Sequence, residues 1–360
     1  MSLAQPKRIL IIKLRHHGDV LLSTPVVDAL KTRFPDCEID MLVYAGTEQL
    51  IADNPQIAQI LTIDRNWKKL GVFKQLACEK NLFAKLKARD YDWAFNLSDQ
   101  WRAAIIAKLC ARCSVGFDCI KRDGFWWRFC HDFINHELDP SHHIVENQLN
   151  ILAPLIQPED VADAKVRLWV AQDARESMRQ KLREQGWSGE DYVLLHPGAR
   201  WHFKCWEDGK NAAIVQLLLN SGQNVVLTAS HNTVEQYMLQ EIIGRLNIPE
   251  GGKVWVLSGC LSLRELAAAI EGAKLFVGVD SAPMHIAAAL DKPQIALFGA
   301  SWVNKWRPYS EEAEVIYAGD YAELPHPDSI DTNDPTRLLK AIPLQDVWDK
   351  ILAKLEALEA

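Results

Sequence analysis

The sequence reads as two doubly wound α/β domains, for three reasons. Apolar strand-like runs alternate with helical patterns in both halves of the chain, which is the signature of βα units and of a parallel sheet covered on both faces. At 360 residues the chain is longer than one hydrophobic core usually supports, so two domains of ordinary size are expected. Between the halves, residues 170–185 turn charged and lose any strand pattern, which places a boundary there and divides the chain into domains 1–175 and 176–360.

In the first half, residues 8–14 form a buried strand, and 25–34 carry Val26, Val27, Leu30 and Phe34 at helical spacing. Strands follow at 38–44 and 59–63, then a helix over 72–87 and a strand at 91–97. After a polar helix near 173–184 the alternation resumes with strands at 192–195, 224–227, 253–256, 274–279 and 294–298. Helices over 207–219, 233–246 and 263–270, and another opening at Ala282, separate them. Residues 344–358 form an amphipathic helix with Leu344, Val347, Trp348, Ile351, Leu355 and Leu358 on one face. This terminal helix could dock on either domain, including back on the first.

Composition narrows the function. A net charge of −7 argues against a general nucleic-acid binder, although a local basic patch remains compatible with it. The apolar run 9–14 is far too short for a signal segment or a membrane span, so a cytoplasmic protein is expected. Its eight cysteines are then reduced thiols. Cys110 and Cys113 have zinc-ligand spacing, but the pair ends an amphipathic helix without a turn residue, and Cys119 and Cys130 follow irregularly. Core and helix-end thiols are the better reading, and no metal site is expected.

Open α/β sheets bind ligands beyond the carboxyl ends of their strands, and three loops fit that rule. The first, 14–20, leaves the first strand through His17 and Gly18 and brings Asp19 to a helix start, where it could cap the helix or face a ligand. No dinucleotide fingerprint is present there, and no GxxxxGK[ST] occurs anywhere, which lowers nicotinamide redox and P-loop chemistry. The second loop runs from His196-Pro197-Gly198-Ala199 to Lys204, whose reach and charge suit a diphosphate. The third, Asp280-Ser281-Ala282-Pro283-Met284-His285, is a strand-to-helix turn. Ser281 could cap the helix, Pro283 suits its first position, and the free amides would face an anion. Glu235, at the start of the helix after strand 224–227, could bond ribose hydroxyls or simply favour the helix N-terminus.

Together these loops resemble the bacterial lipopolysaccharide heptosyltransferases, glycosyltransferase family 9, over nearly the whole chain. The marks are Ile11-Ile12-Lys13 through His17-Gly18-Asp19, His196-Pro197-Gly198-Ala199, Lys204 before Trp206, and Val279-Asp280-Ser281 with His285. Finer matches at 96–101, 203–206, 280–289 and 318–321 look most like the heptosyltransferase III branch of the inner core.

The resemblance implies a GT-B fold, two Rossmann-like domains facing across a cleft. The first would bind the acceptor and the second the nucleotide sugar. It also implies inverting transfer of L-glycero-D-manno-heptose from ADP-heptose to a heptose of the lipid A–core oligosaccharide, with no cofactor and no essential metal. Asp19 would be the general base, and Lys204 would hold the donor diphosphate. Asp280, Ser281, Ala282, His285, Glu235 and Gly198 would complete the donor site. A single displacement needs such a base on the acceptor side and charge stabilisation on the leaving diphosphate, with water shut out.

For an anionic glycolipid acceptor, His17, Lys69 and Arg122 are the candidate partners, within a wider basic set that includes Lys121. Phe125-Trp126-Trp127 could stack on sugars or touch the membrane interface, so peripheral association with the cytoplasmic face of the inner membrane is expected. Another sugar-nucleotide transferase on the same fold, or a catalytically silent sugar-nucleotide or glycolipid-binding subunit, would share these loops.

Overall fold

The computed structural model describes residues 5–119, 122–136, 139, 141–332 and 334–359; Lys121 lies outside them. The chain divides into two compact units, one ending at Trp169 and the other beginning at Val170. In the first unit the strands are β1 (Arg8–Lys13), β2 (Glu38–Tyr44), β3 (Gln59–Ile63), β4 (Tyr91–Asn96), β5 (Ala111–Phe117) and β6 (Phe133–Asn135). They form a parallel sheet in the order β3-β2-β1-β4-β5-β6. Ile9, Leu10, Ile11 and Ile12 are all fully buried because helices cover both faces, which explains a strand with no polar alternation.

The second unit repeats the plan with β7 (Val193–His196), β8 (Val225–Ala229), β9 (Val254–Ser258), β10 (Leu275–Val279), β11 (Gln294–Phe298) and β12 (Ala313–Tyr317). Its order is β12-β11-β10-β7-β8-β9, again all parallel. In each sheet the strand order reverses between the unit's first and fourth strands, β1/β4 and β7/β10. The loops leaving those strands flank a topological switch point, where such sheets bind ligands.

Three strands go beyond the sequence reading: β5, β6 and β12. The units also separate slightly before the expected 175/176. The helix Gln172–Arg183 belongs to the second unit because it is tied to the helix Leu263–Gly272, with Arg175 bidentate on Glu271 (2.6 and 2.7 Å) and Ser177 on Glu265 (2.6 Å). The terminal helix, Leu344–Glu359, packs within the second unit. Its buried face of Val347, Ile351 and Leu355 completes the core of the second unit.

Candidate active site

Two of the three predicted loops meet in the second unit. The loop leaving β7 tightens into a 3-10 turn, His202–Lys204, in which the Phe203 ring stacks on that of Trp201. Lys204 Nζ lies 5.1 Å from the Trp201 ring centre and 2.5 Å from Asp280 Oδ2, where the chain leaves β10. The Asp280 backbone is fixed in turn by its N–H to Leu297 O on β11 (3.2 Å). With side chains only 15% and 7% exposed, Lys204 and Asp280 form a largely desolvated ion pair across the switch point.

The turn that follows differs from expectation in two details. Ser281 holds the N-cap position of the helix Ala282–Ala289, but its hydroxyl donates back to Val279 O (3.2 Å) rather than accepting a helix N–H. Its backbone is extended, φ −156° and ψ 170°, as at other N-caps, but the hydroxyl is committed to the Val279 carbonyl. Pro283 is the second helical residue rather than the first, which its fixed φ also tolerates. Ser281 and Ala282 are half-buried beside Asp280, whereas His285 is buried one turn further on.

Gly198 and Glu235 are brought together as well. Glu235 is buried at the start of the helix Thr233–Ile243, and its Oε2 accepts the Ser230 N–H at 3.0 Å. The carboxylate therefore braces the loop after β8, a role distinct from merely favouring the helix N-terminus. His196 Nε2 lies 3.9 Å from the same oxygen, and its Nδ1 is 2.8 Å from Thr228 Oγ1 on β8. Burial holds the His196 ring neutral. A Cβ on Gly198 would stand 2.8 Å from Glu235 Oε2, so a larger residue there would push the carboxylate off the Ser230 N–H. Gly198→Ala is expected to cost about 1–3 kcal/mol of stability and to weaken nucleotide binding, as read by thermal unfolding and calorimetry.

In the first unit Asp19 sits in the first turn of the short helix His17–Leu21 that follows β1. The N-cap is His16, so Asp19 is not the cap that its position suggested. The half-buried carboxylate has no hydrogen bond or ion pair among the described residues; its one structural contribution is a negative charge in the first turn of its helix.

Residues of the 96–101 run, noted in the sequence only as a point of family resemblance, hold the loop leading to it. Leu14 N–H donates to Ser98 Oγ (2.7 Å), and Leu14 O accepts from Gln100 Nε2 (2.7 Å), which is held by Tyr44 (2.5 Å). Ser98 N–H donates to Asn96 Oδ1 (3.0 Å). Buried Lys13 donates to Leu97 O (3.2 Å), and Arg15 pairs with Asp99 (2.7 Å). The loops after β1 and β4 are thus bonded into one platform. The sequence showed the 96–101 stretch as a family match, with no sign of the bonds it makes to the loop after β1.

Beneath the platform lies buried His131. Its Nδ1 meets the Trp127 carbonyl (3.0 Å) and must carry the proton there, so Nε2 accepts from Asn96 Nδ2 (3.1 Å). Burial lowers the ring's pKa from its ordinary 6.5, which favours this neutral form. A second proton would set Nε2–H against the Asn96 amide and break the chain to Ser98 and Leu14. A depressed pKa contributes stability that is present above the unfolded value near 6.5 and lost as pH falls through the folded value. The thermal midpoint should therefore drop on acidification below about pH 6.5. His131→Gln, which keeps an acceptor but does not titrate, should drop less.

The acceptor candidates lie on three different loops, after β1, β3 and β5. His17 is half-buried, and burial, then His16 and Arg65, lowers its pKa, so it is neutral at pH 7. Lys69 is exposed in the turn Arg65–Lys69. Arg122 is built into the structure: its Nε donates to Asp99 O (2.9 Å) and its guanidinium lies over Trp101 and Trp127. Cys110 and Cys113 are buried thiols at the end of a helix and the start of β5, with pKa values pushed up to about 11 by desolvation.

Two Rossmann-like units in one chain, with a lysine–aspartate pair at one switch point and an unengaged carboxylate at the other, have the build of a GT-B sugar-nucleotide glycosyltransferase. Residues 80–336 match the model of glycosyltransferase family 9 (heptosyltransferase), and the chain belongs to that family. It is 37% identical over 343 residues to lipopolysaccharide heptosyltransferase 3 of Escherichia coli, covering 94% of this chain and 97% of the relative. Among solved structures it is similar to the family 9 glycosyl transferase of Veillonella parvula, with a TM-score of 0.83, 21% identity and 99% of each chain covered. The Escherichia coli heptosyltransferase WaaC, solved with ADP, matches with a TM-score of 0.72 and 20% identity over 96% of this chain and 99% of that one.

Proposed function

We propose that this chain transfers L-glycero-D-manno-heptose from ADP-heptose to a heptose of the lipopolysaccharide inner core, with inversion at the anomeric carbon. The observation that carries the reading is the Lys204–Asp280 pair at the switch point of the second unit, beside the closely approached Gly198–Glu235 loops. It is supported by similarity over nearly the full length to a protein named lipopolysaccharide heptosyltransferase 3, and by the fold shared with a heptosyltransferase that binds ADP.

In this reading Asp19 takes the proton of the acceptor hydroxyl as that oxygen attacks the anomeric carbon. The bond from that carbon to the diphosphate oxygen breaks on the opposite face, and ADP leaves with its added negative charge next to Lys204. Ser281, Ala282 and His285 line the donor side with Asp280, and Glu235 fixes the loop that approaches the nucleotide. His17, Lys69 and Arg122 stand on the acceptor side. Because Lys204 supplies the positive charge, turnover is expected to continue unchanged in excess chelator; a rate lost on chelation and restored by a divalent ion would overturn that part.

Calorimetry with ADP, UDP and GDP tests the donor assignment. ADP should bind at least about tenfold more tightly, a difference of about 1.4 kcal/mol. Equal affinities would favour a different sugar nucleotide. No helix among the described residues is long and apolar enough to cross a membrane. In this reading the lipid-anchored acceptor is reached peripherally, at the cytoplasmic face of the inner membrane.

A further inference from the structure

The first unit exposes large apolar side chains at one edge of its sheet. The helix Val72–Ala88 buries Leu82 and Leu86, with Phe83 packed beside them, but its first turns carry Val72, Phe73 and Leu76 outward, and Phe73 is 89% exposed. The short helix Phe125–Phe129 buries Trp127 as its anchor and leaves Phe125, Trp126 and Phe129 in solvent, with Trp126 69% exposed. The first helix follows β3, the second follows β5, and both begin at the carboxyl edge of the sheet, the edge that carries Asp19. Ring contacts bridge the interval. Arg102 lies over Trp67 just before the first helix, and half-exposed Trp101, next to Arg102, packs edge-on against Trp127 at 5.6 Å.

Charge sets the first of these points apart. Residues 65–80 contain five basic side chains and one acidic one in a chain whose net charge is −7. That acid, Glu79, is taken by Arg102, and Arg65 is engaged within the unit. Lys68, Lys69, Lys74 and Lys80 remain, with no ion pair among the described residues. At helical spacing, Lys80 shares the outward face with Phe73. Apolar tips with a basic flank are the build of an interfacial element that inserts shallowly while its lysines meet anionic headgroups.

We propose that the first turns of the helix Val72–Ala88 and the aromatic helix Phe125–Phe129 form a two-point docking surface for an anionic lipid bilayer, holding the carboxyl edge of the first sheet against the membrane. The inference deepens the proposed transfer to a glycolipid and rests on it for the biological setting. Its test needs neither donor nor acceptor, so the two can fail separately.

The test is co-sedimentation of the full chain with vesicles. With about 30% phosphatidylglycerol in phosphatidylethanolamine the protein should pellet, and with phosphatidylcholine alone it should stay in solution. Raising salt from about 0.1 to 0.5 M should release it, as the Debye length shortens. Phe73→Asp and Trp126→Asp should each lower the bound fraction at fixed lipid by about tenfold or more. Both sites are exposed, and unchanged circular dichroism and thermal midpoint would confirm folding. Phe73→Asp should keep its rate on a water-soluble truncated acceptor. Absence of binding to anionic vesicles, equal binding to neutral ones, or wild-type binding by both variants would overturn the proposal. So would a concentration-dependent dimer abolished by Phe73→Asp, which would make the occupant a second copy of the chain.

Discussion

Asp19→Asn is expected to slow heptosyl transfer by about 10²- to 10⁴-fold, the usual contribution of a positioned general base. The amide keeps the size of the side chain and removes only its ability to take a proton. Because the carboxylate makes no hydrogen bond or ion pair among the described residues, the variant should unfold at the wild-type temperature and bind ADP with unchanged affinity. That combination separates a base from a structural residue. A helix-capping or loop-bracing Asp19 would show the opposite, a lowered midpoint with modest loss of rate. Single-turnover kinetics at saturating donor decide between them, since they report the chemical step without product release.

Removing the positive charge at the other switch point should have two effects that can be pulled apart. Lys204→Ala leaves Asp280 buried without its partner, and breaking such a pair typically costs about 3–5 kcal/mol of stability. It also removes the cation proposed for the leaving diphosphate, which should lower turnover by about 10²-fold or more and weaken ADP binding. Adding Asp280→Asn removes the orphaned charge, so the double variant should recover most of the lost stability. Donor affinity and turnover should stay low. Recovery of ADP affinity in the double variant would mean that Lys204 serves only to neutralise Asp280.

Much of this fold was legible because several of its strands are buried along all or nearly all of their length and read as continuous apolar runs, RILIIK in β1 and LFVGV in β10 among them. The three strands that were missed lack that signal. β5, ARCSVGF, mixes small and polar residues and follows its helix with no intervening turn residue, so Cys110–Cys113 looked like a helix end. β6 has only three residues, and β12, AEVIY, is an edge strand with a charged side chain and a single buried residue.

In the site, Asp19, Lys204 and Asp280 were visible as polar residues at strand ends, yet the 2.5 Å contact between the last two joins positions 76 residues apart. The platform of Ser98, Asn96 and His131 was hidden for the same reason, since its bonds cross from β4 to β1 and to a helix end. A single sequence displays residue types at spacings. It does not display which partners the crossovers deliver, and so Ser281 was read as a cap when its hydroxyl turns back to Val279.

The most direct measurement incubates the wild-type chain with ADP-heptose and a defined core acceptor truncated to its inner heptoses, and reads the acceptor by mass spectrometry and its new linkage by NMR. Heptosyl transfer requires a gain of one heptose per acceptor, one ADP released for each, and an inverted anomeric centre. Release of ADP with no gain of mass on the acceptor, or transfer of a different sugar from a different nucleotide, would contradict it.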